Sequence, residues 1–191
     1  MSSIKIAHSA FPIMDVIKKR WSPRAFSGNP ISEDEMNILF ESARWAPSAN
    51  NEQPWQYIYA HQGTDGFNKI SECFMPGNKP WAINAGTLVI AVARKTFEAN
   101  GNENLWAHHD LGLANAQLLL QATSLGIYAH VVAGFDKSKL IESLGLNETQ
   151  DPVCIITLGY LADAETLEEP FKTRELTERS RKNISEFAHK I

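Results

Sequence analysis

One segment of the chain, residues 106–125, most limits how the protein can fold. It carries leucine and alanine on most of its faces and would extend about 30 Å as a helix at about 1.5 Å per residue. Such a helix should be deeply buried. A core or subunit-interface helix explains it better than a membrane span, because polar side chains interrupt it at His108, His109, Asp110, Asn115, Gln117 and Gln121.

The composition of the chain narrows its class. With 191 residues, 43% hydrophobic and 21% charged, it predicts a single globular domain over residues 1–191. The formal net charge of -4 lacks the broad basic field of a nucleic-acid-binding protein. Two isolated cysteines suggest neither a disulfide framework nor a zinc-thiolate site, and residues 1–20 lack the order of a secretory signal. We therefore expect a cytoplasmic protein that does not enter the membrane.

Two helices are predicted near the N-terminus. Ile13, Val16 and Ile17 recur at helical spacing, and the run should end before Pro23, since the residue before a proline avoids the helical region. Ser32 and Glu35 form a capping-box pattern that opens a second helix. An apolar stripe follows and ends before proline 47.

Strand patterns alternate with these helices. Residues 55–60 alternate aromatic and aliphatic side chains, and residues 87–92 form a continuous apolar run. Residues 130–133 and 153–158 are two further candidates, each followed by glycine. Helices interleaved with a few strands predict an α+β fold or a three-layer α/β/α domain. The charged segment 165–191 contains no obvious core strand.

A first polar cluster follows the first predicted helix. Alternate residues of an extended stretch point the same way, so Arg20, Ser22 and Arg24 could face one ligand. Guanidinium and hydroxyl donors match the oxygens of a phosphate. The competing interpretation is solvated surface charge, which is the commoner origin of a short basic cluster.

A second polar cluster lies between the capped helix and the aromatic strand, at residues 46–55. The side-chain amides of Asn51 and Gln53 can each donate and accept, which suits the edge of a pyrimidine-like ring. The competing interpretation is that proline, serine and asparagine only build a turn there.

Taken together, these segments resemble the nitroreductase family. Residues 46–55 fit its APSxxNxQPW pattern and follow an RxSxR stretch with a helix between them. Residues 128–136 are similar to the family's strand and loop beside the flavin, and residues 158–160 to its closing strand. Residues 179–182 resemble its basic tail. The likeness covers roughly residues 12–185 in the expected order.

The resemblance implies an FMN site between the subunits of a homodimer, and a central, mainly antiparallel sheet flanked by helices. It places Arg20, Ser22 and Arg181 on the phosphate, with Arg179 assisting. Arg24 would lie near the N1 side of the flavin, where reduced flavin gathers negative charge. Asn51 would bond the pyrimidine edge and Gly134 would offer a backbone N–H near N5. The remaining cofactor-binding residues implied are Pro47, Ser48, Gln53, Val132 and Ala133.

The implied activity is ping-pong transfer of reducing equivalents from NADH or NADPH to an acceptor such as a nitroaromatic compound or a quinone. No residue is nominated as catalytic, because flavin carries the redox step. Ala133 stands where some family members place an acidic or larger residue. Two alternatives stay open, namely another redox reaction on the same fold, such as dehalogenation or oxidation, and a non-enzymatic anion-binding module.

Other catalytic patterns have little support in the sequence. No GxGxxG follows a strand and no GxSxG elbow occurs. The run His108-His109-Asp110 lacks the i, i+4 spacing of helical metal ligands, because position 112 is glycine. A capping or interface role is expected for this run instead, and no metal site is predicted.

Overall fold

A four-stranded antiparallel sheet forms the middle layer of the protein. The computed structural model describes residues 3–191, and the strands lie in the order β1-β2-β4-β3. Trp55 pairs with Ala93, Thr87 with Leu158, and Tyr128 with Gly159. Central strand β2 is almost wholly buried, as its continuous apolar run predicts. The strands are β1 (Trp55–His61), β2 (Thr87–Arg94), β3 (Tyr128–Val132) and β4 (Gln150–Gly159).

Helices cover both faces of this sheet. The helices are α1 (Asp15–Lys19), α2 (Glu33–Arg44), α3 (Asp65–Ser71), α4 (Lys79–Ala82), α5 (Ala107–Ser124), α6 (Lys137–Leu144) and α7 (Phe171–Leu176). Buried side chains of α2 and α5 share one hydrophobic core with one face of the sheet. Those of α3, α4 and α6 share a second core with the opposite face. The architecture is therefore α+β with three layers, as the sequence predicts.

The capping box of α2 is confirmed. The Glu35 backbone N–H donates to Ser32 Oγ at 3.3 Å, and the Ser32 N–H donates to the Glu35 carboxylate at 3.0 Å. Both bonds satisfy donors that a helix start leaves unpaired. The helix ends at Arg44, close before Pro47. Its end therefore sets where the polar turn of residues 46–55 begins.

The long helix is confirmed with its predicted environment. Helix α5 covers Ala107–Ser124, and Leu111, Ala114, Leu118 and Ala122 are all fully buried. No helix within residues 3–191 is both long and apolar enough to cross a lipid bilayer. Residues 108–110 do not cap α5, because its N-cap is Trp106 and no side-chain cap hydrogen bond forms there, and the alternative interface role stays a prediction.

Sequence patterns place the starts of two strands too late and miss several short helices. Strand β4 begins at Gln150, three residues before the predicted segment. Strand β3 begins at Tyr128, two residues before the prediction, and ends at Val132, so Ala133 lies outside the ladder. Helices α3 and α6 have seven and eight residues, too short for a clear apolar periodicity. Their starts are nevertheless marked, since Thr64 and Asp136 each accept a backbone N–H as N-caps.

Candidate functional site

Three arginines from opposite ends of the chain lie close together. The pKa of Arg20 is lowered by burial and by the positive charge of Arg181. The pKa of Arg179 is lowered by burial and by the charges of Arg20 and Arg181. None of the three forms a salt bridge with an acidic side chain of residues 3–191. We call Arg20, Arg179 and Arg181 the arginine cluster.

Backbone carbonyls anchor the middle member of the arginine cluster. Arg179 Nη1 donates to the carbonyl of Lys5 at 3.0 Å and to that of Lys18 at 2.8 Å. Lys18 lies in α1, two residues before Arg20. A guanidinium has five N–H donors, so most donors of Arg179 are left for another acceptor. The three guanidinium groups repel one another and have no carboxylate partner in the described chain. An anionic group bound among them would relieve that repulsion.

Arg24 belongs to a different group from Arg20. Its guanidinium lies over the Trp81 ring, 5.6 Å from the ring centroid. Burial lowers the pKa of Arg24, while the carboxylate of Glu175 opposes that shift. Arg24 is not among the charges that perturb Arg20. The extended segment 20–24 thus carries one cation to the arginine cluster and another to the aromatic surface of Trp81.

His130 is a second aromatic neighbour of this segment, and sequence reasoning did not single it out. Its ring stacks on Trp81 with centroids 4.5 Å apart, and Nδ1 lies 2.9 Å from the Pro23 carbonyl. A carbonyl only accepts, so Nδ1 carries the proton. Burial first, with a smaller contribution from the charge of Arg24, lowers the pKa of His130 to about 4. The imidazole is therefore neutral at physiological pH and holds the backbone between Ser22 and Arg24.

Gly134 lies just beyond β3, against the loop before α4. Its carbonyl accepts the Met75 backbone N–H at 3.1 Å and the Asn78 amide at 3.0 Å. Its own N–H donates to no acceptor within residues 3–191. Val132 is only 3% exposed and lies in the core, whereas Ala133 is exposed.

The turn at residues 47–53 is strained. Three residues without the freedom of glycine adopt positive φ, namely Asn50 at 54°, Asn51 at 56° and Gln53 at 51°. Non-glycine residues in this region are uncommon and cluster at functional sites. Inside the turn, Ser48 Oγ accepts the Gln53 N–H at 3.0 Å. Pro47, Asn51 and Gln53 remain exposed.

A buried carboxylate supports this turn. Asp110 is 2% exposed, and its Oδ2 accepts the Ala49 N–H at 2.9 Å. Asp110 lies in the first turn of α5, 61 residues away from Ala49. Sequence reasoning noticed Asp110 only as part of a His-His-Asp run, and no local pattern pairs it with the turn.

The structure does not unite all predicted site residues within one chain. The turn at residues 47–53 precedes β1, and Gly134 follows β3, and these strands are the two edges of the sheet. Three strand spacings of about 4.8 Å separate the edges by roughly 14 Å. In the described part of the chain, no hydrogen bond links the turn to the arginine cluster, to Arg24 or to Gly134.

Thiol and metal chemistry have no geometry to support them. Cys73 and Cys154 are buried free thiols, and burial raises the pKa of Cys154 to about 11. Over residues 3–191 no three His, Cys, Asp or Glu side chains converge as metal ligands do. The polar groups that do converge within the described chain are the three guanidinium groups of the arginine cluster.

The profile described as "Nitroreductase family" matches residues 17–160, which include the segment around Arg20, the strained turn, all four strands and Gly134. This match covers most of the chain. The protein belongs to the nitroreductase family.

Relatives of this nitroreductase family member have similar lengths. A protein of Archaeoglobus fulgidus named "Putative NADH dehydrogenase/NAD(P)H nitroreductase" is 28% identical over 160 residues, covering 82% of this chain and 89% of that protein. A crystal structure described as an oxidoreductase containing FMN is 30% identical, with a TM-score of 0.92, and covers 99% of this chain and 96% of the other. A nitroreductase family protein of Clostridium difficile 630, 24% identical with a TM-score of 0.71, covers 91% of this chain and 95% of its own and shares the fold.

Proposed function

We propose that this protein is an FMN-dependent NAD(P)H oxidoreductase formed by a single nitroreductase-like domain over residues 1–191. The observation that carries the proposal is the arginine cluster, in which three guanidinium groups approach one another with no carboxylate partner in the described chain. Such an arrangement is unfavourable unless an anion occupies it. Family membership makes the phosphate of FMN the expected anion, and the relative of similar structure described as containing FMN supports it.

The donors of this chain fit the chemistry of FMN. The arginine cluster and Ser22 would hold the phosphate, because guanidinium groups form strong charge-assisted bonds to phosphate oxygens. Arg24 would lie at the N1 side of the flavin, and the unpaired N–H of Gly134 near N5. The remaining edge of the flavin would be contacted by four residues of the turn, namely Pro47, Ser48, Asn51 and Gln53. Backbone atoms of Val132 and Ala133 would contribute further contacts.

We infer that a second copy of the chain completes this site. Within one chain, the arginine cluster begins at the end of α1, and the strained turn precedes β1, an edge strand of the sheet. No hydrogen bond links the two within the described chain. In a symmetric homodimer, the turn of one subunit would face the arginine cluster of its partner. The exposed side chains of Trp45, 73%, and Trp106, 57%, offer apolar area for such an interface.

Bound FMN would supply the two-electron redox chemistry that links NAD(P)H to an acceptor. The chain itself contributes placement and charge. A fixed cation at Arg24 favours the more negative, reduced state of the cofactor. Neutral His130 keeps the segment of Arg24 in place without adding a second buried charge. We expect NADH or NADPH to bind at the open face of the flavin first, and a nitroaromatic or quinone acceptor to bind at the same face afterwards. We expect this reaction to take place in the cytoplasm.

Purification and cofactor release test the proposal. The purified protein should be yellow, should release FMN rather than FAD on denaturation, and should oxidise NADH or NADPH when an acceptor is present. The double variant Arg20→Ala/Arg181→Ala should lose most of its FMN, because it removes two of the three cluster cations. The matched control is Lys69→Ala, since Lys69 is an exposed cation of α3.

Two results would contradict the proposal. One is unchanged FMN content in the double variant. The other is a colourless protein that cannot be reconstituted with FMN, which would favour an anion-binding module. Analytical ultracentrifugation of the loaded protein tests the homodimer separately, and a monomer that retains FMN would overturn the shared site.

A further inference from the structure

A buried carboxylate lies behind the candidate FMN site. Glu175, in α7, is only 5% exposed. Its two oxygens accept the Arg24 backbone N–H at 2.9 and 3.1 Å, and one of them accepts the Ala25 N–H at 3.1 Å. The bond to Arg24 crosses 151 positions of sequence. Glu175 therefore fixes the backbone that carries the Arg24 side chain.

Lys5 binds the C-terminal end of the same helix, α7. Its ammonium donates to the carbonyls of Arg174, at 3.3 Å, and Thr177, at the C-terminal end of α7. It also lies 4.9 Å from the centroid of the Trp21 ring. The carbonyl of Lys5 accepts the guanidinium of Arg179. The N-terminal segment is thereby joined to α7 and to the arginine cluster.

We propose that Glu175 and Lys5 form a clasp that positions Arg24 and Arg179 for the cofactor without touching it. This inference rests on the proposed function. Glu175 sets the backbone of Arg24 directly. It also fixes the end of α7, only four residues before Arg179, which the carbonyl of Lys5 then orients. The carboxylate of Glu175 thus helps to position two cations, Arg24 for the flavin ring and Arg179 for the phosphate.

The charge of Glu175 matters to this arrangement. Burial raises the pKa of Glu175, while the bonds from Ala25 and Arg24 and the charge of Lys5 oppose that rise. A carboxylate offers two equivalent acceptors to adjacent N–H groups, which a glutamine cannot do. Glu175→Gln should therefore place an amide NH2 group, which cannot accept a hydrogen bond, where one carboxylate oxygen accepts the Arg24 N–H, and should leave Lys5 without its counter-charge.

The test compares Glu175→Gln with Glu178→Gln, a matched control at an exposed glutamate three residues further on. FMN is titrated into each apoprotein and its dissociation constant is measured from flavin fluorescence. We expect about a tenfold weaker affinity for Glu175→Gln and no change for the control, as for the loss of one charged hydrogen bond. Spectroelectrochemistry of the loaded variants should show a more negative reduction potential only for Glu175→Gln.

The second measurement separates positioning from general support of the fold. A variant that is merely less stable binds FMN with an unchanged potential once it is folded and loaded. An affinity equal to that of the wild type, or a weaker affinity with an unchanged potential, overturns the proposal. If Glu175→Gln does not fold, Lys5→Met opens the clasp from the other side and is read by the same two measurements. A wild-type protein without FMN affinity defeats the proposed function itself, whereas a tight wild type with an unaffected Glu175→Gln defeats only the clasp.

Discussion

The amide of Asn78 occupies the space that a Cβ would need at Gly134. Asn78 Nδ2 donates to the Gly134 carbonyl at 3.0 Å and lies nearer to the ideal Cβ position than real contacts allow. The Met75 N–H donates to the same carbonyl. A side chain at position 134 would therefore have to displace the Asn78 amide, and the orientation of the Gly134 peptide is set by two donors.

Substitution at this pair should be non-additive. Gly134→Ala must displace the Asn78 amide and should lower the free energy of unfolding by about 1–3 kcal/mol, as overpacking does. Asn78→Ala should remove the clash, so the double variant should be more stable than Gly134→Ala alone. Urea unfolding of all four proteins measures the coupling. Strictly additive losses would show that the two positions do not compete for space.

The cation at Arg24 can be removed without disturbing its backbone. The bonds to Glu175 come from the backbone N–H groups of Arg24 and Ala25, so Arg24→Ala keeps them. We expect the variant to retain FMN with a reduction potential lower by ~30 mV, which equals ~1.4 kcal/mol for a two-electron couple. Spectroelectrochemistry beside the exposed control Lys69→Ala measures the shift. An unaltered potential would remove Arg24 from its proposed role.

The buried imidazole of His130 should make stability depend on pH. Its pKa falls to about 4 in the fold from an ordinary value of 6.5, so the unfolded chain binds the extra proton first as pH falls. The contribution is present above pH 6.5 and is lost as pH falls towards 4, and it amounts to about 3 kcal/mol over that interval. Urea unfolding at pH 7 and pH 4.5 measures it.

His130→Phe is the variant that isolates this effect. Phenylalanine keeps an aromatic ring against Trp81 but cannot be protonated, so the loss of stability between the two pH values should shrink. The exposed His189→Phe serves as the control. If His130→Phe loses as much stability as the wild type on acidification, another group is responsible.

The carboxylate of Asp110 should govern the strained turn. Asp110→Ala leaves the Ala49 N–H without its partner and should lower the free energy of unfolding by about 1–2 kcal/mol. FMN affinity should fall as well, because Asn51 and Gln53 hold positive φ angles that need support. The exposed Asp34→Ala is the control, and FMN titration with urea unfolding measures both effects. If Asp110→Ala binds FMN as tightly as the wild type, the conformation of the turn does not contribute to cofactor binding.

Much of the fold could be predicted from local patterns. The capping box at Ser32, the apolar run of β2 and the length of α5 each reflect a preference that acts within a few residues or one helical period. Strand β3 was misplaced by two residues, because its start is set by pairing of Tyr128 with Gly159 rather than by its own sequence. Short helices such as α6 depend on one buried side chain, Leu140, and leave little periodic signal.

The sequence by itself identified Arg20, Arg24, Arg179, Arg181 and Gly134 as candidate donors, since residue type and order carry the resemblance on which that prediction rests. Only the tertiary structure decided what holds them. Glu175, His130, Asp110 and Asn78 act through contacts that join positions 56 to 151 residues apart. The polar groups of these four side chains are buried or half-buried, so each needs a hydrogen-bond partner that the fold brings close to it. That pairing is a property of the packed chain, and no local pattern of residues encodes it.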